Sequence, residues 1–286
     1  MVAVLSAAVR PRGPFSLRLS GRLSGDATRT MSGGRLTAAL TGGGLGQAWQ
    51  RPDGTVQLRA PHEAGLDELR FVLALDDDHS EFLERFRKDP LLRRALPRLR
   101  GLRPLRLPTV THALLRAVCG QLIQARRARA IERNVIRAAT PCLDGTWLHA
   151  PPDPASFACF SPVQLRRLGL GARRGAALVR LCRSLDLERL RSLPTAAAAD
   201  RLERERGLGP WSVGVVCLEG LGRFERGLVG DLGLVKLCSA LRGGWVEPWE
   251  TAELLEPYGE WAGLAGVYLL SAFRLGLVPL PARAAA

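Results

Sequence analysis

The sequence contains very little lysine. Only two of its 41 basic residues, Lys88 and Lys236, are lysine, and the others are arginine. Any mechanism that uses a lysine as a nucleophile or as a phosphate ligand therefore has two candidates in this chain of 286 residues.

Cysteine and histidine patterns that bind metals are also absent. The six cysteines lie at least 17 residues apart and include no Cys-x-x-Cys pair, which excludes a zinc knuckle and a packed disulfide framework. The four histidines, at positions 62, 79, 112 and 149, stand outside any His-Glu-x-x-His motif. We therefore expect reduced thiols and no metal site.

Long apolar runs are missing as well. The stretch from Leu264 to Phe273 is among the longest in the chain, and it is much shorter than the ~20 residues that cross a bilayer. No basic cluster precedes the apolar first residues, so they do not resemble a secretory signal. We expect a soluble, cytoplasmic protein without a membrane partner.

Positive charge is what the sequence has in excess. Lysine and arginine outnumber aspartate and glutamate by 41 to 27, which gives a formal net charge of +14 at pH 7. Such an excess favours an anionic partner, and nucleic acid is the first candidate. A general bias toward arginine explains the same number, so charge alone leaves both interpretations open.

Two regions differ in the spacing of their apolar residues. In residues 1–76, apolar and polar residues alternate at Phe15 to Leu19, Leu36 to Leu40 and Val56 to Leu58, which predicts a small antiparallel sheet. Residues 77–286 show mostly helical spacing. The predicted fold class is α+β, with an N-terminal α/β domain followed by a mostly helical region.

A helical hairpin is predicted at residues 196–222. Gly207-Leu208-Gly209 joins its two helices, and the glycines permit a positive φ and let backbone amides face outward. Amides at a helix N-terminus hold a phosphate without reading sequence. A glycine-capped structural hairpin explains these three residues alone better. The interpretation changes because Asp231 stands twenty residues after Trp211.

Together these residues resemble the helix-hairpin-helix DNA glycosylase superfamily, and within it the bacterial AlkA-type 3-methyladenine DNA glycosylases. The resemblance covers nearly the whole chain, including the predicted sheet. The stretches that carry it are Phe86–Leu91, Gly120–Leu122, Gly207–Ser212, Gly230–Leu234 and Pro257–Ala262. The family's fold implies two helical lobes after the N-terminal domain, with DNA and an extruded base in the cleft between them.

The resemblance implies roles for individual residues. Asp231 corresponds to the catalytic aspartate, and Leu122 to the wedge that fills the gap left by a flipped nucleotide. The residues implied to contact DNA are Gln121, Leu122, Gly207, Leu208 and Gly209.

The base pocket that the resemblance implies is poor in aromatic side chains. An ungapped alignment places Val215 and Val267 where family members often carry aromatic residues. The remaining aromatic candidates for this pocket are Trp211, Trp261 and Tyr268.

Trp211 also bears on the type of reaction. Superfamily members that cleave the DNA backbone carry a nucleophilic lysine at this position, so the resemblance implies a monofunctional enzyme in which water attacks the sugar. Two alternatives stay open. A bifunctional glycosylase/lyase would use Lys88 or Lys236, and a non-catalytic helix-hairpin-helix protein would recognise damaged or bent duplex without chemistry.

The chemistry of the reaction agrees with an aspartate at this position. Breaking an N-glycosidic bond builds positive charge on the deoxyribose, and a fixed carboxylate nearby stabilises that charge. A capping role alone would also explain Asp231. No organic cofactor is expected, while a monovalent cation at the hairpin backbone is left open. The expected partner of this monomeric, nucleoid-associated protein is double-stranded DNA with damaged bases, above all alkylated purines.

Overall fold

The computed structural model describes residues 4–121 and 123–281. In these residues five strands form one antiparallel sheet in the order β1-β5-β4-β3-β2. The strands are β1 (Leu5–Val9), β2 (Arg29–Ser32), β3 (Arg35–Ala39), β4 (Leu45–Gln50) and β5 (Val56–Ala60). The sheet is followed by helices to the end of the described chain, which confirms the predicted α+β class.

Most of the helices surround a core that is separate from the core of the sheet, to which the first two helices contribute. The helices are α1 (Leu17–Ser20), α2 (Glu63–Val72), α3 (Ser80–Arg85), α4 (Leu96–Leu99), α5 (Val110–Gly120), α6 (Ala125–Ala139), α7 (Pro154–Ala158), α8 (Pro162–Arg167), α9 (Ala172–Ser184), α10 (Thr195–Glu203), α11 (Pro210–Val215), α12 (Leu232–Arg242), α13 (Thr251–Leu255) and α14 (Ala262–Arg274). Within the described residues, none of these helices is both long enough and apolar enough to cross a bilayer.

One predicted strand is a helix instead. The alternating residues Phe15 to Leu19 contribute to α1, because the Ser16 hydroxyl accepts a hydrogen bond from the amide of Leu19 and caps the first turn. Leu17 is buried under the sheet in this arrangement. Only one of these five residues is buried. The alternation is therefore too short to distinguish a strand from a helical turn.

Helix α5 is the central element of the helical region. Its residues from Val110 to Cys119 are all buried, and it packs against α6, α9 and α11. Helix α11 continues directly into a π-helical segment, Val216–Leu221, which also packs on α5. The π-helical segment ends at Gly222, whose φ of +70° closes the helix in the left-handed region. This packing places the end of α5 beside the start of α11.

Candidate active site

The turn between α10 and α11 places a buried leucine between two exposed glycines. Gly207 has a φ of +98°, which favours glycine, whereas Gly209 has an ordinary φ of −101°. The expectation that both glycines use positive φ therefore holds for Gly207 alone. Leu208, predicted to contact the partner, is only 7% exposed and packs in the core. Its burial anchors the turn, and the amides of Trp211 and Ser212 at the start of α11 have no hydrogen-bond partner among the described residues.

Two neighbouring helices fix the position of this turn. At the end of α5, the Nε2 of Gln121 donates to the carbonyl of Gly207 at 2.8 Å and to the hydroxyl of Ser212 at 3.0 Å. From α9, Arg180 donates to the carbonyl of Arg206 at 2.8 Å. Gln121 thus holds the hairpin in position. The predicted wedge, Leu122, lies outside the described residues.

Asp231 caps helix α12 and points one carboxylate oxygen toward α11. Its Oδ1 accepts hydrogen bonds from the amides of Gly233 at 2.7 Å and Leu234 at 3.4 Å. Its Oδ2 accepts one from the indole Nε1 of Trp211 at 3.1 Å. Three donors on two helices therefore fix the orientation of a half-buried carboxylate, so Asp231 is both a helix cap and a positioned anion.

Trp211 reaches Asp231 because the last residue of α5 has no side chain. A Cβ atom placed on Gly120 would lie 2.4 Å from Cη2 of the Trp211 ring, which is too close for any real contact. The indole therefore lies directly over the α5 backbone. Glycine at position 120 is required by this close approach.

A cleft surrounds Asp231. It consists of two adjoining cavities of about 400 and 520 Å³. Residues that line both include Asp231, Trp211, Val215, Arg116, Arg129 and Glu219. Val267 lines the larger cavity, and Phe273 the smaller one. The structure therefore brings Trp211, Val215 and Val267 together around Asp231, as the sequence predicts.

The two other predicted pocket residues lie elsewhere. Tyr268 is fully buried, with its hydroxyl within 3.2 Å of the carbonyls of Leu99 and Leu102. Trp261 stacks on Phe224 with ring centroids 5.8 Å apart. Neither lines either cavity, so these two predictions are wrong. Successive residues of α14 point about 100° apart. Val267 therefore faces the cleft, while Tyr268 faces the core.

A buried ionic network forms one wall of the cleft. Arg116 on α5 binds three carboxylates at once: Glu219 at 2.5 Å, Asp26 at 2.6 Å and Glu132 at 2.9 Å. His112 lies 3.1 Å from the same oxygen of Glu132. Burial of this many charges is tolerated only because each carboxylate has a cationic or hydrogen-bonding partner.

The network shifts the pKa values of its members. Burial would raise the pKa of Asp26, but His112, Arg29 and Arg116 outweigh burial and lower it. Burial would likewise raise the pKa of Glu132, whereas Arg116 lowers it well below its usual value. Both groups therefore stay ionised in the folded protein across the neutral range.

The network contains one set of side chains with the spacing of metal ligands. Single ligand atoms of Asp26, His112 and Glu132 lie within 4.8 Å of one another. Arg116 already donates to both carboxylates, so a second cation there would meet the guanidinium charge.

Four carbonyls of the hairpin turn already have donors within the protein. The carbonyls of Glu205, Arg206, Gly207 and Gly209 each accept a hydrogen bond from within the protein. Each carbonyl oxygen has a second lone pair, so a monovalent cation at the hairpin backbone stays a prediction.

Sequence reasoning missed Arg116, Glu219, Arg129 and Phe273 as cleft residues. A detectable signal existed for the first, because Arg116 interrupts a continuous apolar run within α5, and a buried arginine requires an anionic partner. The partners themselves lie up to 103 residues away in sequence, so the pattern does not identify them.

Known proteins are similar to this chain in sequence and in fold. The chain is 27% identical over 207 residues to the DNA-3-methyladenine glycosylase of Bacillus subtilis (strain 168), which covers 68% of this chain and 67% of that protein. No protein-family profile matches it.

Two solved structures cover almost the whole chain. The 3-methyladenine DNA glycosylase from Archaeoglobus fulgidus superposes with a TM-score of 0.81 at 18% identity, covering 94% of this chain and 99% of that one. The Clostridium acetobutylicum 8-oxoguanine glycosylase/lyase in complex with dsDNA superposes with a TM-score of 0.78 at 17% identity, covering 96% and 99%. At these identities the likeness concerns the fold.

Proposed function

Because this chain belongs to the helix-hairpin-helix DNA glycosylase superfamily, we propose that its cleft receives a damaged purine flipped out of double-stranded DNA and that water hydrolyses the glycosidic bond. The observation that carries the proposal is the carboxylate of Asp231, held by three donors inside a cleft next to an outward-facing hairpin turn. Alkylated purines are the first class to test, because the Bacillus relative is named for one.

The geometry supports a dissociative hydrolysis. As the bond between the base nitrogen and C1′ breaks, its electron pair leaves with the base and positive charge develops on the sugar. The fixed carboxylate of Asp231 stabilises that charge. Water then bonds to C1′ and transfers a proton to the carboxylate, which passes it to solvent. An alkylated purine leaves readily because the base carries a positive charge before the bond breaks.

One observation favours a second candidate function. Lys236 on α12 lines the smaller cavity together with Asp231, whereas Lys88 lines neither. A bifunctional glycosylase/lyase would therefore use Lys236 as its nucleophile. Trp211 argues against this function, because it occupies the hairpin position at which the lyases of the superfamily carry their lysine.

One experiment tests both functions. The purified protein is incubated with duplexes that each contain one alkylated or oxidised purine, the released base is identified by mass, and parallel reactions are treated with borohydride. We expect base release, an uncut abasic strand and no trapped adduct. A trapped adduct that disappears in Lys236→Ala would establish the lyase. Binding without release of any base would support the non-catalytic alternative.

Replacement of Trp211 by phenylalanine should slow base release about tenfold, because a hydrogen bond to a charged group contributes roughly 1.5–3 kcal/mol. Phenylalanine keeps an aromatic face in the cleft but cannot donate to Asp231. The measurement is the single-turnover rate at saturating protein. Trp249→Phe, at a position 67% exposed, is the control. An unchanged rate in Trp211→Phe would show that the other two donors suffice to orient the carboxylate.

Replacement of Gly209 by valine should weaken binding to damaged and undamaged duplex alike, about tenfold, and reduce the salt dependence by about one phosphate contact. Its φ is negative, and a Cβ atom there meets no other atom within 4 Å, so the fold tolerates valine. The added side chain would obstruct the approach of a phosphate to the amides of α11. Affinity is measured across a salt series.

The matched control is Gly244→Val. Gly244 is exposed, its Cβ position is equally open, and it lies outside the hairpin. Equal affinity of the Gly209 variant and wild type for both duplexes would make the hairpin a structural element only.

A further inference from the structure

Glu219 provides a second carboxylate in the cleft. It and Asp231 are the acidic residues that line both cavities of the described protein. Glu219 lies in the π-helical segment after α11, and its side chain is 22% exposed. A π-helical segment within a helix often marks a functional position. Here it directs a carboxylate to the wall of the cleft.

The position of this carboxylate is fixed. Arg116 donates to Oε2 of Glu219 at 2.5 Å, and the guanidinium cannot shift because it also binds Asp26 and Glu132. Oε1 accepts no hydrogen bond from any residue in the described ranges. The cleft therefore contains a preorganised acceptor whose free oxygen is available to a ligand.

A donor is held by the same network. Arg129 on α6 lines both cavities and uses one nitrogen, Nη1, to bind Glu132 at 3.0 Å. Its side chain is 28% exposed, so its other nitrogens remain available to the cleft. The wall thus presents a fixed acceptor at Glu219 and a donor at Arg129.

We propose that Glu219 determines specificity by accepting N–H hydrogen bonds from the pairing edge of the flipped base, and that it selects damaged guanine over damaged adenine. The pairing edge of guanine offers N1–H and the 2-amino group beside the O6 acceptor, which matches a carboxylate next to an arginine. Adenine would turn the N1 lone pair toward the carboxylate. This inference rests on the proposed glycosylase function.

The test compares three lesions that share a cationic N-alkyl purine. Duplexes contain 7-methylguanine, 7-methylhypoxanthine, which lacks the 2-amino group, or 3-methyladenine. We expect wild type to release 7-methylguanine about tenfold faster than 7-methylhypoxanthine after subtraction of spontaneous loss, the effect of one hydrogen bond to a charged group. Glu219→Gln should reduce this ratio toward one. Equal rates in wild type would overturn the proposal without any variant.

A control separates recognition from charge balance. Asp26→Asn also removes a carboxylate from Arg116, but the Asp26 side chain is 0% exposed and lines neither cavity, so it cannot contact a base. We expect it to change the rates on all three duplexes by the same factor. If it abolishes the preference as Glu219→Gln does, the effect passes through Arg116 and the proposed contact does not exist.

Binding distinguishes this inference from the proposed function. Affinities are measured on the same three lesions in duplexes whose 2′-fluorinated sugar resists hydrolysis. If no base is released from any duplex, the glycosylase function fails, while a preference for 7-methylguanine that is lost in Glu219→Gln still supports the contact. Equal affinities for the three lesions would overturn it.

Discussion

Replacement of Asp231 by asparagine should lower the rate of base release by about 10²–10³-fold and leave the affinity for DNA close to that of wild type. Asparagine keeps the size of the side chain and the oxygen that accepts from the amide of Gly233. It removes the negative charge that balances the positively charged sugar. The measurement is the single-turnover rate on an alkylated duplex, together with the dissociation constant on an uncleaved one.

The control for this variant is a second aspartate that caps a helix. Asp153 caps α7 and accepts from the amide of Ser156, and it lines neither cavity. Asp153→Asn should leave both quantities unchanged. If Asp231→Asn retains the wild-type rate, its carboxylate serves only as a cap, and the catalytic assignment fails.

Replacement of Arg116 by leucine should reduce the free energy of unfolding by about 3–5 kcal/mol at neutral pH, because it leaves buried charges without their partner. Asp26 and Glu132 have side chains that are at most 1% exposed, and Glu219 is mostly buried. Denaturant unfolding measures the effect. Arg85→Leu is the control, because its ion pair with Glu260 is about half exposed and contributes at most about 1 kcal/mol.

The pH dependence of this effect has a definite sign. In wild type the pKa values of Asp26 and Glu132 are lowered from 3.8 and 4.5, so their stabilising contribution is present above those values and is lost as the pH falls through the folded values. Without Arg116 the pKa of both carboxyls should rise, above all that of Glu132, for which Arg116 is the largest cause of the lowering. The deficit of the variant should therefore shrink as the pH decreases toward 4. A deficit independent of pH would indicate lost packing instead.

The parts of the site that sequence predicts correctly depend on short-range patterns. The hairpin and the cap of α12 follow from local residues, because Gly209 directly precedes α11 and Asp231 directly precedes α12. Strands β3 and β5 follow from alternation for the same reason. The prediction of a strand at Phe15 to Leu19 was wrong because Ser16 caps a helical turn that buries the same leucine.

The parts that sequence could not supply depend on helix rotation or on distant contacts. Val267 and Tyr268 are neighbours in sequence, yet one lines the larger cavity and the other is buried in the core. The network of Arg116 joins residues separated by 16, 90 and 103 positions. No periodicity links such residues, so the wall that we assign to base recognition became visible only in the structure.

The ion pair between Asp26 and Arg116 has a consequence for how the protein unfolds. Asp26 precedes β2 in the sheet region, and Arg116 lies in the central helix of the helical region, so the predicted boundary between residues 76 and 77 separates the two partners. Unfolding of either region alone would leave Asp26 or Arg116 without this partner. We therefore expect the sheet to unfold together with the helices in one cooperative transition, and we expect its removal to expose the interior of the helical region.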